Sequence, residues 1–168
     1  MLTSETGPRQ TFAAAVLAFG MAATVGTALG FEHIGGFIPC KLCLEQRIPY
    51  YVGAPLMLLA LLSAWMRGPA WLTRGLLAAG ALLMAFGAAL GAYHSGVEWQ
   101  WWAGPTDCSG AAPAVTTNAG DLFADLDQIP PACDEAAGRF LGLSFAGWNV
   151  LASLALAAIA VRGAFGRG

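Results

Sequence analysis

"TFAAAVLAFGMAATVGTALGF", residues 11–31, runs without an acidic or basic side chain. About 20 apolar residues in a helix are what it takes to cross the hydrocarbon core of a bilayer, so this stretch reads as a membrane span. Working outward, the same pattern recurs three times. Ile48–Met66 reads "IPYYVGAPLMLLALLSAWM", Gly75–Tyr93 reads "GLLAAGALLMAFGAALGAY", and Phe140–Val161 reads "FLGLSFAGWNVLASLALAAIAV". With 57% hydrophobic and 11% charged residues in 168, the chain lies far from the balance of a soluble domain. The expected fold is an all-α membrane protein: a four-helix transmembrane bundle with spans at about 11–31, 48–66, 72–93 and 140–161, forming one integral domain over 1–168. A cleavable secretory signal competes for the first run, but the run is longer than a usual signal core and Phe31-Glu32-His33 makes a poor cleavage site.

Four crossings return both termini to one side. Lys and Arg resist translocation, and Arg9, Arg67, Arg74, Arg162 and Arg167 gather on the side of the termini and the short middle turn, against Lys41, Arg47 and Arg139 opposite. The termini are therefore expected in the cytoplasm, with segments 32–47 and 94–139 exported. That places all four cysteines, Cys40, Cys43, Cys108 and Cys133, outside, where disulfides persist.

Within the bundle, Gly26 with Gly30 and Gly87 with Gly91 form GxxxG pairs, small-residue stripes that let lipid-buried helices come close. The exported loop is different in character. Glu98, Asp107, Asp121, Asp125, Asp127, Asp134 and Glu135 face a single Arg139. Trp99, Trp101 and Trp102 read as an aromatic belt at headgroup level. "DLFADLDQI", residues 121–129, reads as a short amphipathic surface helix, stopped by Pro130-Pro131. The loop is long enough to move relative to the bundle.

"PCKLCLEQR", residues 39–47, carries the chemistry. A zinc site drawn from Cys40, Cys43, His33 and His94 lacks paired ligand spacing, and no metal is expected. A structural disulfide suits Cys108 with Cys133, whose loop closure is worth roughly 3 kcal/mol in the chain-entropy model. It suits Cys40 with Cys43 badly, because closing so short a loop removes almost no chain entropy. A redox pair explains the CxxC better: a dithiol can close and reopen, its thiolate tuned by nearby positive charge and a helix N-terminus. Arg47 supplies the charge, with an interfacial snorkelling role as its alternative. A continuous helix would put Cys40, Cys43 and Arg47 on one face; a helix starting at Pro49 would leave the dithiol in a preceding turn. Lys41 and Glu45 are read as solvated surface residues. Two pairs on one exported face suggest a relay, the loop pair meeting a soluble protein and the fixed pair a lipid-soluble carrier. The resting pairing of the four stays open among three connectivities.

These residues resemble the bacterial disulfide bond formation protein B (DsbB) family. The likeness rests on "PCKLCLEQR" before the second span, on "WWAGPTDCSG" and "CDEAAGRFLGLSFAGWN" flanking the second cysteine pair, and on four spans in this order; it covers nearly the whole chain. It implies a thiol:quinone oxidoreductase of the inner membrane that reoxidises a periplasmic thioredoxin-fold partner of the DsbA type and passes electrons to a membrane quinone, ubiquinone rather than menaquinone. Carried over by position, Cys108 takes the mixed disulfide with the partner and Cys133 exchanges with the membrane pair through Cys40. Cys43 holds the thiolate facing the quinone, Arg47 stabilises that thiolate and the reduced quinone, and His94 lies near the ring. A monomer with no nucleic-acid partner is expected. Two rivals predict differently. A non-enzymatic four-span scaffold would hold static external disulfides, and a vitamin K epoxide reductase type would carry its dithiol near the last span.

Overall fold

The computed structural model describes residues 6–108 and 132–166, Asp107 by its backbone alone. The surface helix expected over 121–129 lies outside the described residues. Five helices are described: α1 (Pro8–His33), α2 (Lys41–Glu45), α3 (Ile48–Trp65), α4 (Ala70–Glu98) and α5 (Phe145–Phe165), with a 3-10 turn at Thr106–Cys108 and a small hairpin, β1 (Arg139–Phe140) and β2 (Leu143–Ser144), before α5. Four helical stretches are long and apolar enough to cross a membrane: α1, α2 with α3 over Lys41–Trp65, α4 and α5. The chain is a multi-pass helical membrane protein. Large apolar side chains point outward all round the bundle, Phe19 at 78% and Leu82 at 73% exposure among them, a surface that water would penalise and lipid satisfies.

Helix α1 packs on α3 and α5, and α4 packs on α3 and most extensively on α5, which arranges the four long helices in a ring. Leu17, Met21, Met57, Leu77 and Met84 fill its centre, fully buried. Glycines set the spacing. A Cβ on Gly53 would lie 2.7 Å from Met21 Sδ, and one on Gly80 would lie 2.7 Å from Met57 Cε, so the flexible thioethers occupy the room the glycines leave. The two GxxxG pairs part company here. Gly87 and Gly91 lie against Ser153, Asn149 and Val150 of α5, whereas Gly26 and Gly30 meet nothing within 4 Å.

Several ends differ from the apolar runs that mark them in the sequence. The helix expected over 140–161 starts at Phe145, because Leu141 and Gly142 both take positive φ (51° and 82°), as a two-residue hairpin turn requires. That pairs Arg139 with Ser144 and Phe140 with Leu143, and the Ser144 hydroxyl then caps α5 by accepting from Gly147 N at 3.2 Å. Helix α4 continues past Tyr93 to Glu98 and ends in a Schellman turn: Gln100 sits at φ 58°, with Gln100 N donating to Val97 O and Trp101 N to Gly96 O. At the opposite end of the bundle the Thr6 hydroxyl donates to Gly68 O at 3.0 Å, so the N-terminal end of α1 and the α3–α4 turn share one end.

Candidate functional site

Cys40 has extended backbone and stands at the N-cap of α2, its sulfur accepting from Cys43 N at 3.3 Å. The short helix ends at Glu45, and α3 starts at Ile48 with Pro49 in its first turn. The dithiol therefore occupies a separate turn of helix before the long one. This turn aims the two sulfurs at each other, 2.9 Å apart, as free thiols, Cys40 buried and Cys43 partly so. Cys108 and Cys133 are joined as a disulfide across 25 residues. Both pairs belong to one buried cluster with Leu42 and Val97, and Cys133 N donates to Cys108 O at 3.2 Å. The fixed pair and the loop pair are thus neighbours.

A polar chain crosses the bundle beneath the thiols. The Tyr50 hydroxyl donates to Asn149 Oδ1 (2.6 Å) and meets the Ser153 hydroxyl at 2.7 Å. Asn149 Nδ2 donates to Gln46 Oε1 (2.7 Å). Gln46 Nε2 donates to Leu42 O (3.2 Å) and meets His94 Nδ1 at 2.6 Å. With each amide oriented by the next donor, Nδ1 of His94 is the acceptor, and the ring carries its proton on Nε2. That nitrogen stands 3.6 Å from Cys40 Sγ. Cys40, Cys43 and His94 bring their donor atoms within 4.8 Å of one another. The donors from Cys43 and from His94 hold the Cys40 thiol far below its ordinary range, at about 4, against the opposing effect of burial.

On the far side of Cys43 opens a cavity of about 530 Å³, lined by Cys43, Arg47, Tyr50, Asn149 and a wall of aromatic rings. Phe31, Phe37 and Phe145 contact one another with centroids 5.0–5.9 Å apart, and Trp148 lies against Phe140. Arg47 reaches the cavity from the N-cap of α3, its side chain 12% exposed, and its guanidinium donates to the Glu32 carboxylate. Among the described residues this carboxylate, rather than the Cys43 sulfur, is the hydrogen-bond partner of Arg47.

The family model described as "DsbB: Disulfide bond formation protein DsbB" matches residues 10–162. The chain belongs to the DsbB family. It is also 30% identical over 170 aligned residues to Disulfide bond formation protein B of Verminephrobacter eiseniae (strain EF01-2), covering 89% of this chain and 87% of that protein. No solved structure matches it. Membership gives the cysteine end a context in disulfide bond formation, and all six residues singled out in the sequence stand there. Cys40, Cys43 and His94 converge, Cys108 and Cys133 pack beside Cys40, and Arg47 lines the cavity with Cys43.

Four further participants were not singled out. Gln46 and Asn149 are polar groups in or beside apolar runs, which is itself a signal of function. Glu32 closes the last turns of α1 near Arg47. Glu98 lies one turn beyond His94 on the same helix face.

Proposed function

We propose that this chain reoxidises a periplasmic thioredoxin-fold dithiol oxidase of the DsbA type and passes the electrons to a quinone of the bacterial inner membrane, its termini cytoplasmic and its cysteines on the periplasmic side. One observation carries the reading: Cys43 lines an aromatic cavity while its partner Cys40 packs against the loop disulfide, so a single dithiol adjoins both a thiol-exchange partner and a pocket open to a lipid-soluble ring.

In this reading the partner's thiolate attacks the Cys108–Cys133 disulfide at Cys108, forming a mixed disulfide and freeing Cys133. The partner's second thiol then releases it oxidised, and the loop pair is left reduced. The loop pair is reoxidised by exchange with the Cys40–Cys43 disulfide, Cys133 bonding to Cys40 and leaving Cys43 as a thiolate beside the cavity. Cys108 then attacks Cys133, closing the loop disulfide and releasing Cys40, and the donors that hold charge on Cys40 in the free dithiol suit it as that leaving sulfur. The cavity residues fit the ring: Phe31, Phe37 and Phe145 offer apolar faces, Asn149 offers polar atoms, and Arg47 offers a cation for a ring oxygen that gains negative charge. Bound there, a quinone supplies a sink for two electrons and two protons. Such a sink is needed, because oxidants of the DsbA kind have potentials of about −120 mV, above most protein disulfides.

The test is quinone absorbance followed with purified chain, reduced DsbA-type protein and soluble ubiquinone or menaquinone analogues. Wild type is expected to reduce the quinone, preferring the ubiquinone analogue, and Cys43→Ser to abolish the reaction. Folded wild type that reduces neither analogue would leave the static scaffold as the better reading.

A further inference from the structure

Glu98 ends α4 with its side chain only 3% exposed, and its Oε2 is buried without a hydrogen-bond partner among the described residues. Oε1 lies 3.8 Å from His94 Nε2, the nitrogen that also stands 3.6 Å from Cys40 Sγ. The carboxylate is near enough to Cys43 for their charges to interact. With the two thiols and the imidazole converging within 4.8 Å, the dithiol turn gathers two soft sulfurs, one ring nitrogen and one unpartnered oxygen. That is the donor set of a tetrahedral zinc ion. The linear spacing of cysteine and histidine, which argues against a metal, does not register an acid one turn beyond the histidine.

We propose that the reduced Cys40–Cys43 dithiol is a Zn²⁺ site, its ligands the two sulfurs and His94 Nε2, with the Glu98 carboxylate closing the fourth side. Zinc–sulfur and zinc–nitrogen bonds of about 2.3 and about 2.0 Å at tetrahedral angles set sulfur and nitrogen about 3.6 Å apart. Cys40 and His94 already have that spacing. Two such sulfurs stand about 3.8 Å apart, so Cys43 has to turn from its present 2.9 Å toward the cavity it lines. As the partly buried sulfur of the pair, it also marks the way in. Thiol protons leave to solvent as the zinc–sulfur bonds form, and no electron moves. Two thiolates and a carboxylate repel one another in so small a site, and the ion reduces their sum to one negative charge. To bind, the imidazole shifts its proton to Nδ1. Gln46, Asn149 and the Tyr50 and Ser153 hydroxyls all both donate and accept, so their chain can run in the reverse sense, Gln46 turning its oxygen to that proton. The cost is the longer bonds to Leu42 O and Gly87 O; the gain is a fixed acceptor for the second ring nitrogen of a metal-bound histidine. Zinc held there keeps the sulfurs apart and the disulfide open. On the reading of Cys40 and Cys43 as a redox pair, on which this consequence rests, it arrests the relay in its reduced state.

The experiment uses neither quinone nor partner, so its failure is distinct from failure of the electron-transfer reading, which the quinone assay reports. Full-length chain carrying Cys108→Ser and Cys133→Ser, so that no other thiol is present, is reduced with a phosphine and titrated with Co²⁺ and then Zn²⁺. One equivalent of Co²⁺ is expected to bring up thiolate-to-metal absorbance and the visible bands of a tetrahedral site, and Zn²⁺ to remove them. The same chain with its dithiol oxidised should show neither. Glu98→Gln in this background should lower zinc affinity by about tenfold or more, measured by competition with a chromophoric chelator. In reduced wild type loaded with one equivalent of zinc, X-ray absorption at the metal edge should find two sulfur and two lighter neighbours. Absence of thiolate-to-metal absorbance in the folded, reduced chain would overturn the proposal, as would a folded Glu98→Gln that binds zinc as tightly as its parent. So would any sulfur count other than two in the wild-type spectrum, a result that depends on no variant folding.

Discussion

Gln46 and His94 meet at 2.6 Å through Nε2 and Nδ1, and this contact decides which nitrogen of the imidazole faces Cys40. A side chain from the α2–α3 junction thereby sets the tautomer of a residue on α4, using orientation borrowed from Asn149 on α5.

Replacing Gln46 by Leu leaves His94 Nδ1 and the Asn149 amide without that partner. Stability should fall by about 1–3 kcal/mol, the usual cost of orphaning buried polar groups, measured as the thermal midpoint of purified protein in detergent. The ultraviolet thiolate absorbance of the reduced protein should be lost at a higher pH in the same variant, since the ring is free to present an unprotonated nitrogen to the sulfur.

The reduced dithiol should give the chain a pH-dependent stability that the oxidised form lacks. The Cys40 thiol is lowered in the folded state from 9.0 to about 4. A depressed acid contributes stability that is complete above the unfolded value and is lost as pH falls through the folded one. Reduced protein should therefore become more stable relative to oxidised protein as pH rises from about 4 to 9, seen by comparing thermal midpoints of the two forms. The ultraviolet thiolate absorbance of the reduced protein should persist in mildly acidic buffer, and a midpoint at the ordinary thiol value would contradict the geometry.

Arg47 and Glu32 form a partly buried pair at the cavity. Arg47→Gln leaves a carboxylate facing the ring site, and the KM for a soluble quinone should rise about tenfold, the loss of roughly one charge-assisted contact. Glu32→Gln keeps the cation and frees it, so KM should stay level or fall. Steady-state kinetics of both variants separates a cavity role for the guanidinium from interfacial anchoring, which predicts no change in KM.

Helix α4 tolerates no side chain at Gly91. A Cβ there would lie 2.9 Å from Val150 Cγ2 and 3.2 Å from the backbone oxygen of Ala146, and that oxygen cannot move without displacing α5. Gly91→Leu should lower the thermal midpoint sharply and disturb Asn149, whereas Gly26→Ala, in open space, should match wild type in the same melt.

The four apolar runs and the CxxC were legible because hydropathy and short-range spacing are local properties of the chain. Gln46, Asn149 and Tyr50 were not, because their partners are 48 to 103 residues away and each is an ordinary polar residue until the helices pack. The entrance to α5 misled for a different reason. Phe140-Leu141-Gly142-Leu143 is as apolar as the helix after it, and only backbone angles at Leu141 and Gly142 reveal the hairpin. For Arg47, charge and position marked the residue, while its engagement with Glu32 depends on how α1 leans over α3.

Burial of the sulfurs also decides what the chain ignores. Cys133 is 2% exposed and Cys108 6%, so a small reductant dissolved in the surrounding fluid finds almost none of the loop disulfide to attack. Such burial insulates that disulfide against short-circuit by free thiols.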